Sequence, residues 1–222
     1  MRDALIVFLK APRPGAVKSR LARTIGPLPA AALYRSLAEA VVRGTDPLGA
    51  ADYERLYFFA PADARTEMEE WMGARDWIPQ EGADLGTRMA GAFDEAFRRG
   101  ARRVAIVGTD VLGLSRRHVR DALASLDAHQ VVLGPARDGG YYLLALDRPR
   151  PALFEAIPWS TNSVLPATLA RARALGLTVR TLEELGDVDT LADVRREWEG
   201  LRALAVDPEL RGALDRAVGS GS

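Results

Sequence analysis

The stretch "ALIVFLKAPRPGAVKSRLA", residues 4–22, joins an unbroken apolar run to a short basic segment containing two prolines and a glycine. Residues 4–9 lack the polar alternation of a half-exposed strand, so they read as a strand buried on both faces. Lys10, Arg13, Lys18 and Arg20 then crowd the strand's exit. Open α/β sheets bind ligands outside the carboxyl ends of their strands. Local positive charge there suits an anionic ligand, and a merely solvated basic loop is the competing reading. Pro12, Pro14 and Gly15 favour the ligand, because they restrict or bend the backbone so that it can approach closely. The segment matches neither the P-loop pattern nor G-x-G-x-x-G.

Working outward, apolar runs alternate with amphipathic stretches. Strands are expected at 55–60, 76–80, 102–108, 130–136, 140–146 and 177–182, and helices at 29–44, 62–73, 84–100, 115–128, 163–176 and 190–204, with a weaker one at 207–217. This alternation predicts an α/β fold with a mostly parallel sheet and helices on both faces. Only a few residues separate the two strands within 130–146, which predicts an antiparallel element there.

Composition narrows the function. The 222 residues carry 30 Lys+Arg and 30 Asp+Glu, a formal charge of zero, so broad attraction to nucleic acid or an anionic membrane is not expected. The absence of cysteine excludes disulfides and thiolate sites. No stretch reads as a signal peptide or reaches the roughly 18 apolar residues of a membrane span, so a cytoplasmic protein is expected. The closing "GSGS" reads as a flexible tail at 219–222.

The other strand exits carry carboxylates. Thr109-Asp110 follows 102–108, Arg137-Asp138-Gly139-Gly140 follows 130–136, and Gly186-Asp187-Val188-Asp189 follows the last strand. Cations and aspartates on one rim suit a polyphosphate held by Lys/Arg and by Mg²⁺ or Mn²⁺ on aspartate. Asp110 is read as a metal ligand, because Ser115 already supplies a helix cap. Asp189 reads as the N-cap of the helix that follows it, leaving Asp187 free to ligate. Asp138 and the two glycines form a hairpin turn that can also face a ligand. Asp84 and Gly86 precede a helix, where Asp84 either caps it or leaves its N-terminus to an anion. Trp159-Ser160-Thr161 either caps the next helix or walls an acceptor pocket. His118 and His129 fall in or beside a predicted surface helix, which argues against a histidine metal site.

Together, "KAPRPGAVKSRLA", "GADLGTRM", "GTDVLGLS", "LGPARDGGYYLLAL", "WSTNSVL" and "GDVDTLADV" resemble the GT-A-fold transferases known as radical-SAM/selenodomain-associated transferases or arsenosugar-biosynthesis glycosyltransferases. The motifs run in that family's order over residues 4–196, and "DGGYYL" is the most specific. "KSRLA" also resembles the guanylyltransferase of deazaflavin-cofactor synthesis. The resemblance implies a single GT-A-like domain over 1–204, with 205–218 as an added helix. It implies a nucleotide-sugar or nucleoside-triphosphate site, with Lys10, Lys18 and Arg20 matching the phosphate loop and Asp110 the metal-binding aspartate. Asp138, with Gly139, Gly140, Tyr141 and Trp159, falls on the acceptor side, Asp138 as a general base. The chain departs from the family at Val111 and Leu112, where Cys-Pro is usual, and at Arg137, where an acidic residue is common.

The expected function is metal-dependent transfer from a nucleotide-diphosphate sugar to a small-molecule acceptor. The alternatives are nucleotidyl transfer from an NTP and a catalytically silent nucleotide-binding protein. The C-terminal helices are compatible with a homodimer, although core packing is the commoner role of such helices.

Overall fold

The computed structural model describes residues 2–49, 52–204 and 207–219. Seven strands, β1 (Ala4–Lys10), β2 (Glu54–Ala60), β3 (Trp77–Pro79), β4 (Val104–Val107), β5 (Val131–Pro135), β6 (Tyr141–Leu146) and β7 (Val179–Thr181), form one sheet in the order β3-β2-β1-β4-β6-β5-β7. Each overlaps a stretch that reads as a strand. The helices are α1 (Ser19–Ile25), α2 (Pro27–Gly44), α3 (Arg65–Met72), α4 (Leu85–Arg98), α5 (Arg116–Ser125), α6 (Val164–Ala174), α7 (Leu191–Arg196), α8 (Trp198–Leu204) and α9 (Pro208–Gly219).

Every strand pairing is parallel except those of β6, which runs antiparallel to both β4 and β5. The antiparallel element expected near 130–146 is therefore this single reversed strand. Strand order turns outward in both directions from the β1–β4 pair, so the loops leaving β1 and β4 flank the crevice where such sheets bind ligands.

Alternate residues of β1 enter different cores. Leu5, Val7 and Leu9 pack with Tyr34, Ala38 and Val41 of α2 and Val119 and Leu123 of α5. Ala4 and Ile6 pack with Met89, Ala92 and Phe93 of α4 on the other face. A third cluster joins Leu21 of α1 and Leu33 and Leu37 of α2 to Val194, Leu201, Leu210 and Leu214 of α7, α8 and α9. The last helix thus covers a second apolar stripe of α2.

The structure adds a short helix, α1, where the sequence predicts none. Gly26, at φ 91, ends it, and Pro27 starts α2 at a first-turn position where no N–H is needed. The helix expected over 190–204 is divided at Glu197, whose side chain turns to Arg137. The "GSGS" tail lies outside the described residues except for Gly219. Among the described residues, no helix is long and apolar enough to cross a membrane.

Candidate active site

The loop leaving β1 is pinned before it reaches solvent. Ala11 N donates to Ala60 O at 2.8 Å, Arg13 N to Ala11 O at 2.7 Å and Ala16 N to Arg13 O at 3.0 Å, with Gly15 at φ 83 completing the turn. The loop ends at Lys18, which takes the left-handed conformation (φ 49, ψ 42) that L side chains seldom adopt. That backbone sends the lysine inward. Its side chain is 1% exposed, and Nζ lies 2.5 Å from Asp110 Oδ1 and 2.7 Å from Asp189 Oδ1. Burial works against the ammonium charge, but the two carboxylates outweigh it, so Lys18 titrates above its ordinary value.

Two isolated bridges bring the segment after β7 to the β4 and β5 exits. Val111 pairs antiparallel with Asp187, and Ala136 pairs parallel with Leu185. Val188 N donates to Asp110 O at 3.0 Å and Leu112 N to Gly186 O at 3.2 Å. The segment 185–189 is thus drawn to the β4 and β5 exits, and Asp138, Asp187 and Asp189 each place a carboxylate oxygen within 4.8 Å of the others.

Asp187 is buried, 6% exposed, and no cation or side-chain donor among the described residues meets its carboxylate. Burial first, then the charge of Asp138, raises its pKa above the usual carboxylate range. A buried carboxylate without a counter-ion, beside two others, is the donor set a hard divalent ion requires. Asp110 belongs to this neighbourhood through Lys18, which also holds Asp189. The Asp189 reading changes accordingly: Thr190 caps α7, with Asp193 N donating to Thr190 Oγ1 at 3.3 Å, and the Asp189 carboxylate joins the site.

The remaining candidates divide between the two sides of the rim. Lys10 and Arg20 are exposed, and their side chains have no partner among the described residues. Arg13, expected on the phosphate side, is ion-paired within the protein. Its guanidinium is committed to Glu67, at 2.5–3.1 Å, and to Asp63 at 3.2 Å, both on the α3 side of the loop. Asp84 takes the capping option, with Oδ1 accepting from Thr87 N at 2.7 Å and from Thr87 Oγ1 at 2.9 Å. Those bonds hold its pKa below the usual range. Gly86 serves Trp159 instead of an anion: a Cβ at Gly86 would lie 2.5 Å from the indole Nε1.

On the β5–β6 turn, Asp138 Oδ1 accepts from Gly140 N at 2.8 Å. Gly139, at φ 90, lies against the backbone of the 158–163 loop, where a Cβ would stand 2.2 Å from Asn162 O, and its own carbonyl accepts from Leu165 N at 2.9 Å. Tyr141, expected on the acceptor side, is half-buried, and its hydroxyl is buried near Thr168 of α6. Arg137 pairs with Glu184 at 3.3 Å and Glu197 at 2.9 Å. His118 is buried rather than on the surface. Its Nδ1 accepts from Ser115 N at 3.1 Å in a capping box on α5, and its Nε2 lies 3.0 Å from Glu183.

Two residues were missed. Tyr34 is buried on α2, and its hydroxyl accepts from Lys10 N at 2.7 Å and lies 3.3 Å from the Thr109 hydroxyl, joining the β1 and β4 exits. Its place on the apolar stripe of α2, one residue after Leu33, was the available signal. Gln80 Nε2 donates to Leu9 O at 3.0 Å and Phe58 O at 3.2 Å, a role nothing in the sequence marks.

The DUF2064 family, described as "Uncharacterized protein conserved in bacteria", matches residues 46–161. An inferred nucleotide-diphospho-sugar transferase from Desulfovibrio desulfuricans G20 superposes with a TM-score of 0.88 at 30% identity, over 99% of this chain and 98% of that one. The fold is shared with CMP:2-keto-3-deoxy-manno-octonic acid synthetase complexed with CTP, at TM-score 0.55 and 14% identity over 92% and 100% of the two chains. It is shared also with glucosyl-3-phosphoglycerate synthase from Mycobacterium tuberculosis in complex with Mn²⁺, UDP and glucosyl-3-phosphoglycerate, at TM-score 0.50 and 14% identity over 98% and 80%. No curated protein matches the chain. The family match spans more than half of the sequence, from before β2 to Thr161, and the 30% identical structure extends the likeness over both ends: the chain belongs to the DUF2064 family and has the nucleotide-diphospho-sugar transferase fold.

Proposed function

We propose that the chain is a metal-dependent glycosyltransferase that moves a sugar from a nucleotide-diphosphate sugar to a small-molecule acceptor. One observation carries this reading: a buried lysine held between Asp110 and Asp189 at the sheet's switch point, beside the unpaired carboxylate of Asp187. A cation and a hard-ion donor set at that distance match the two needs of a diphosphate, direct ion pairing and charge neutralisation. The likeness to the Desulfovibrio protein and the motif resemblance support a nucleotide sugar as donor.

In this reading Lys10, Lys18 and Arg20 hold the diphosphate, while the Tyr34 and Thr109 hydroxyls fix the loop that carries them. Asp187 and Asp189, with Asp110 joined to them through Lys18, would hold Mg²⁺ or Mn²⁺, whose chemistry is to neutralise the leaving diphosphate. Asp138 keeps one oxygen on the Gly140 amide and presents the other to the acceptor hydroxyl as general base. Gly139, Gly140 and Trp159 shape the acceptor side.

The test is product identity. The full chain is incubated with UDP-, TDP-, GDP- and CMP-sugars and with NTPs, with and without Mg²⁺ or Mn²⁺, and products are separated by anion exchange. Metal-dependent release of a nucleoside diphosphate, lost in Asp187→Asn, is expected. Pyrophosphate release from an NTP would replace this reading with nucleotidyl transfer. Thermal stabilisation by nucleotides with no turnover would leave a silent binding protein.

A further inference from the structure

The two sides of the rim differ in charge, and this difference identifies the acceptor's chemical class. We infer, resting on the glycosyl-transfer reading above, that the acceptor is an uncharged polyhydroxyl compound and carries no phosphate. On the donor side Lys10 and Arg20 are cations without a partner among the described residues. The acceptor side is walled by the β5–β6 turn, the 158–163 loop and the first turn of α4, and their two cations, Arg137 and Arg88, are turned to Glu184 and Glu197 and to the Gly82 carbonyl.

The residues of the 156–163 loop, "AIPWSTNS", carry no charge. Arg137 is already paired with two glutamates. Arg148 and Arg150 are bonded to Asp147 beyond the far end of β6. Arg88 donates Nε to Gly82 O at 3.0 Å and lies one turn from the Asp84 carboxylate.

The two helix N-termini facing this side are also filled. A carboxylate, Asp84, occupies the start of α4. At the start of α6, Ser163 N donates to Thr161 Oγ1 at 3.2 Å, Leu165 N to Gly139 O at 2.9 Å and Ala167 N to Ser163 O at 3.0 Å, and Pro166 has no N–H. That leaves little of the amide array that binds anions at helix ends. A phosphate dianion would instead meet the Asp138 carboxylate on the β5–β6 turn.

The groups that are offered suit a sugar or polyol. The half-buried Trp159 indole, stacked on Phe154 at 6.5 Å between centroids, gives a rigid apolar face with a polar edge. Ser160, Thr161 and Asn162 are exposed beside it. In the transfer, an acceptor hydroxyl oxygen bonds the donor's anomeric carbon as the bond from that carbon to the diphosphate oxygen breaks. The hydroxyl proton passes to Asp138 and then to solvent, and the nucleoside diphosphate leaves with the electron pair.

The experiment uses matched acceptors: glycerol and glycerol 3-phosphate, myo-inositol and inositol 1-phosphate, methyl glucoside and glucose 6-phosphate. Each is added to the full chain with Mg²⁺ and the nucleotide-sugar panel, and nucleoside diphosphate release above the acceptor-free rate is read. A neutral member is expected to exceed its phosphorylated twin by at least about tenfold, the scale set by one uncompensated charge contact. A phosphorylated member that outpaces its twin overturns the inference, whereas pyrophosphate release from an NTP overturns the glycosyl-transfer reading itself. A second measurement needs no turnover. Inorganic phosphate is titrated into ¹⁵N-tryptophan-labelled protein and the Trp159 indole resonance, assigned with Trp159→Phe, is followed. No displacement is expected. A saturable displacement abolished by Arg88→Ala would show an anion site on the acceptor side and overturn the inference.

Discussion

Replacing Lys18 by methionine should tighten divalent-ion binding and weaken nucleotide binding in the same protein. Methionine keeps the buried stem and removes only the charge, which now sits 2.5 Å from Asp110 and 2.7 Å from Asp189. In the free protein the ammonium competes with a metal for Asp189. Two unit charges about 4 Å apart interact by about 4 kcal/mol at an effective dielectric of 20 and about 1 kcal/mol in water. The Asp110 and Asp189 side chains remain 50% and 38% exposed, so the lower part of that range applies. Loss of the ammonium should then strengthen Mn²⁺ binding by about 1.4–2 kcal/mol, ten- to thirty-fold. Stability should fall by about 1–3 kcal/mol, less than for a fully buried broken pair, because water reaches both carboxylates. Free Mn²⁺ measured by electron paramagnetic resonance, without nucleotide, gives the ion affinity, and calorimetry with the preferred nucleotide gives the second. A folded Lys18→Met protein that binds Mn²⁺ no more tightly than the wild type would refute the reasoning that lysine and ion share Asp189.

Asp187→Asn should stabilise the metal-free protein at neutral pH and abolish stabilisation by Mn²⁺. Because the folded pKa is raised, the native state holds its proton more firmly than the unfolded chain. The resulting cost appears as pH rises from the ordinary aspartate range through the raised value and is absent below it, so melting curves of variant and wild type should converge in acid. Gly139→Ala should cost about 2–4 kcal/mol in denaturant unfolding, since a Cβ would stand 2.2 Å from Asn162 O at a residue with φ 90. Gly86→Ala should displace the Trp159 indole, 2.5 Å from the new methyl, and cost about 1–3 kcal/mol, with a shift in tryptophan emission. Lys10→Ala should weaken nucleotide binding by about tenfold, whereas Arg13→Ala should change it far less, because Arg13 is held by Glu67 and Asp63; equal losses in calorimetry would contradict the division drawn between them.

The fold was legible because its strands are short apolar runs between glycine, proline and acidic punctuation, and because β1 and β4 are buried on both sides. The reversed β6 was legible as well, since the five residues between β5 and β6 cannot support a parallel crossover. Helix α1 was not, because seven residues with two cations and a single buried leucine have too little apolar periodicity to separate them from a loop. The acidic site was half legible. Each aspartate stood at a strand exit, but their grouping depends on the bridges at Val111–Asp187 and Ala136–Leu185, which are pairings between distant segments. Asp189 reads as a cap by position, and only Thr190, one residue later and with a better-placed hydroxyl, displaces it. Arg13 and Arg20 are alike in sequence. What separates them is Glu67, which lies 54 residues from Arg13.

In the glycosyl-transfer reading proposed above, the reversal of β6 lets one rim serve both halves of the reaction. In a sheet of parallel strands, each strand leaves the carboxyl edge once and the chain returns through a crossover at the opposite edge. Here β5 leaves at the carboxyl edge and β6 starts there, so the turn at Ala136–Gly140 stays on the rim. That keeps Asp138 beside the exit of β7, which pairs with β5 on its other side. It also lets Gly139, which has no side chain to interfere, clamp the 158–163 loop and Trp159 to the same edge. The parallel half of the sheet supplies the cationic loop at the switch point, and the reversed strand supplies the uncharged wall. The aspartates are shared between the two, contributed by the β5–β6 turn and the end of β7, with Lys18 reaching across from the cationic loop to bind Asp189. A ligand spanning the rim from Lys10 to Trp159 therefore passes over the carboxylates midway, where a diphosphate would give way to the sugar it carries.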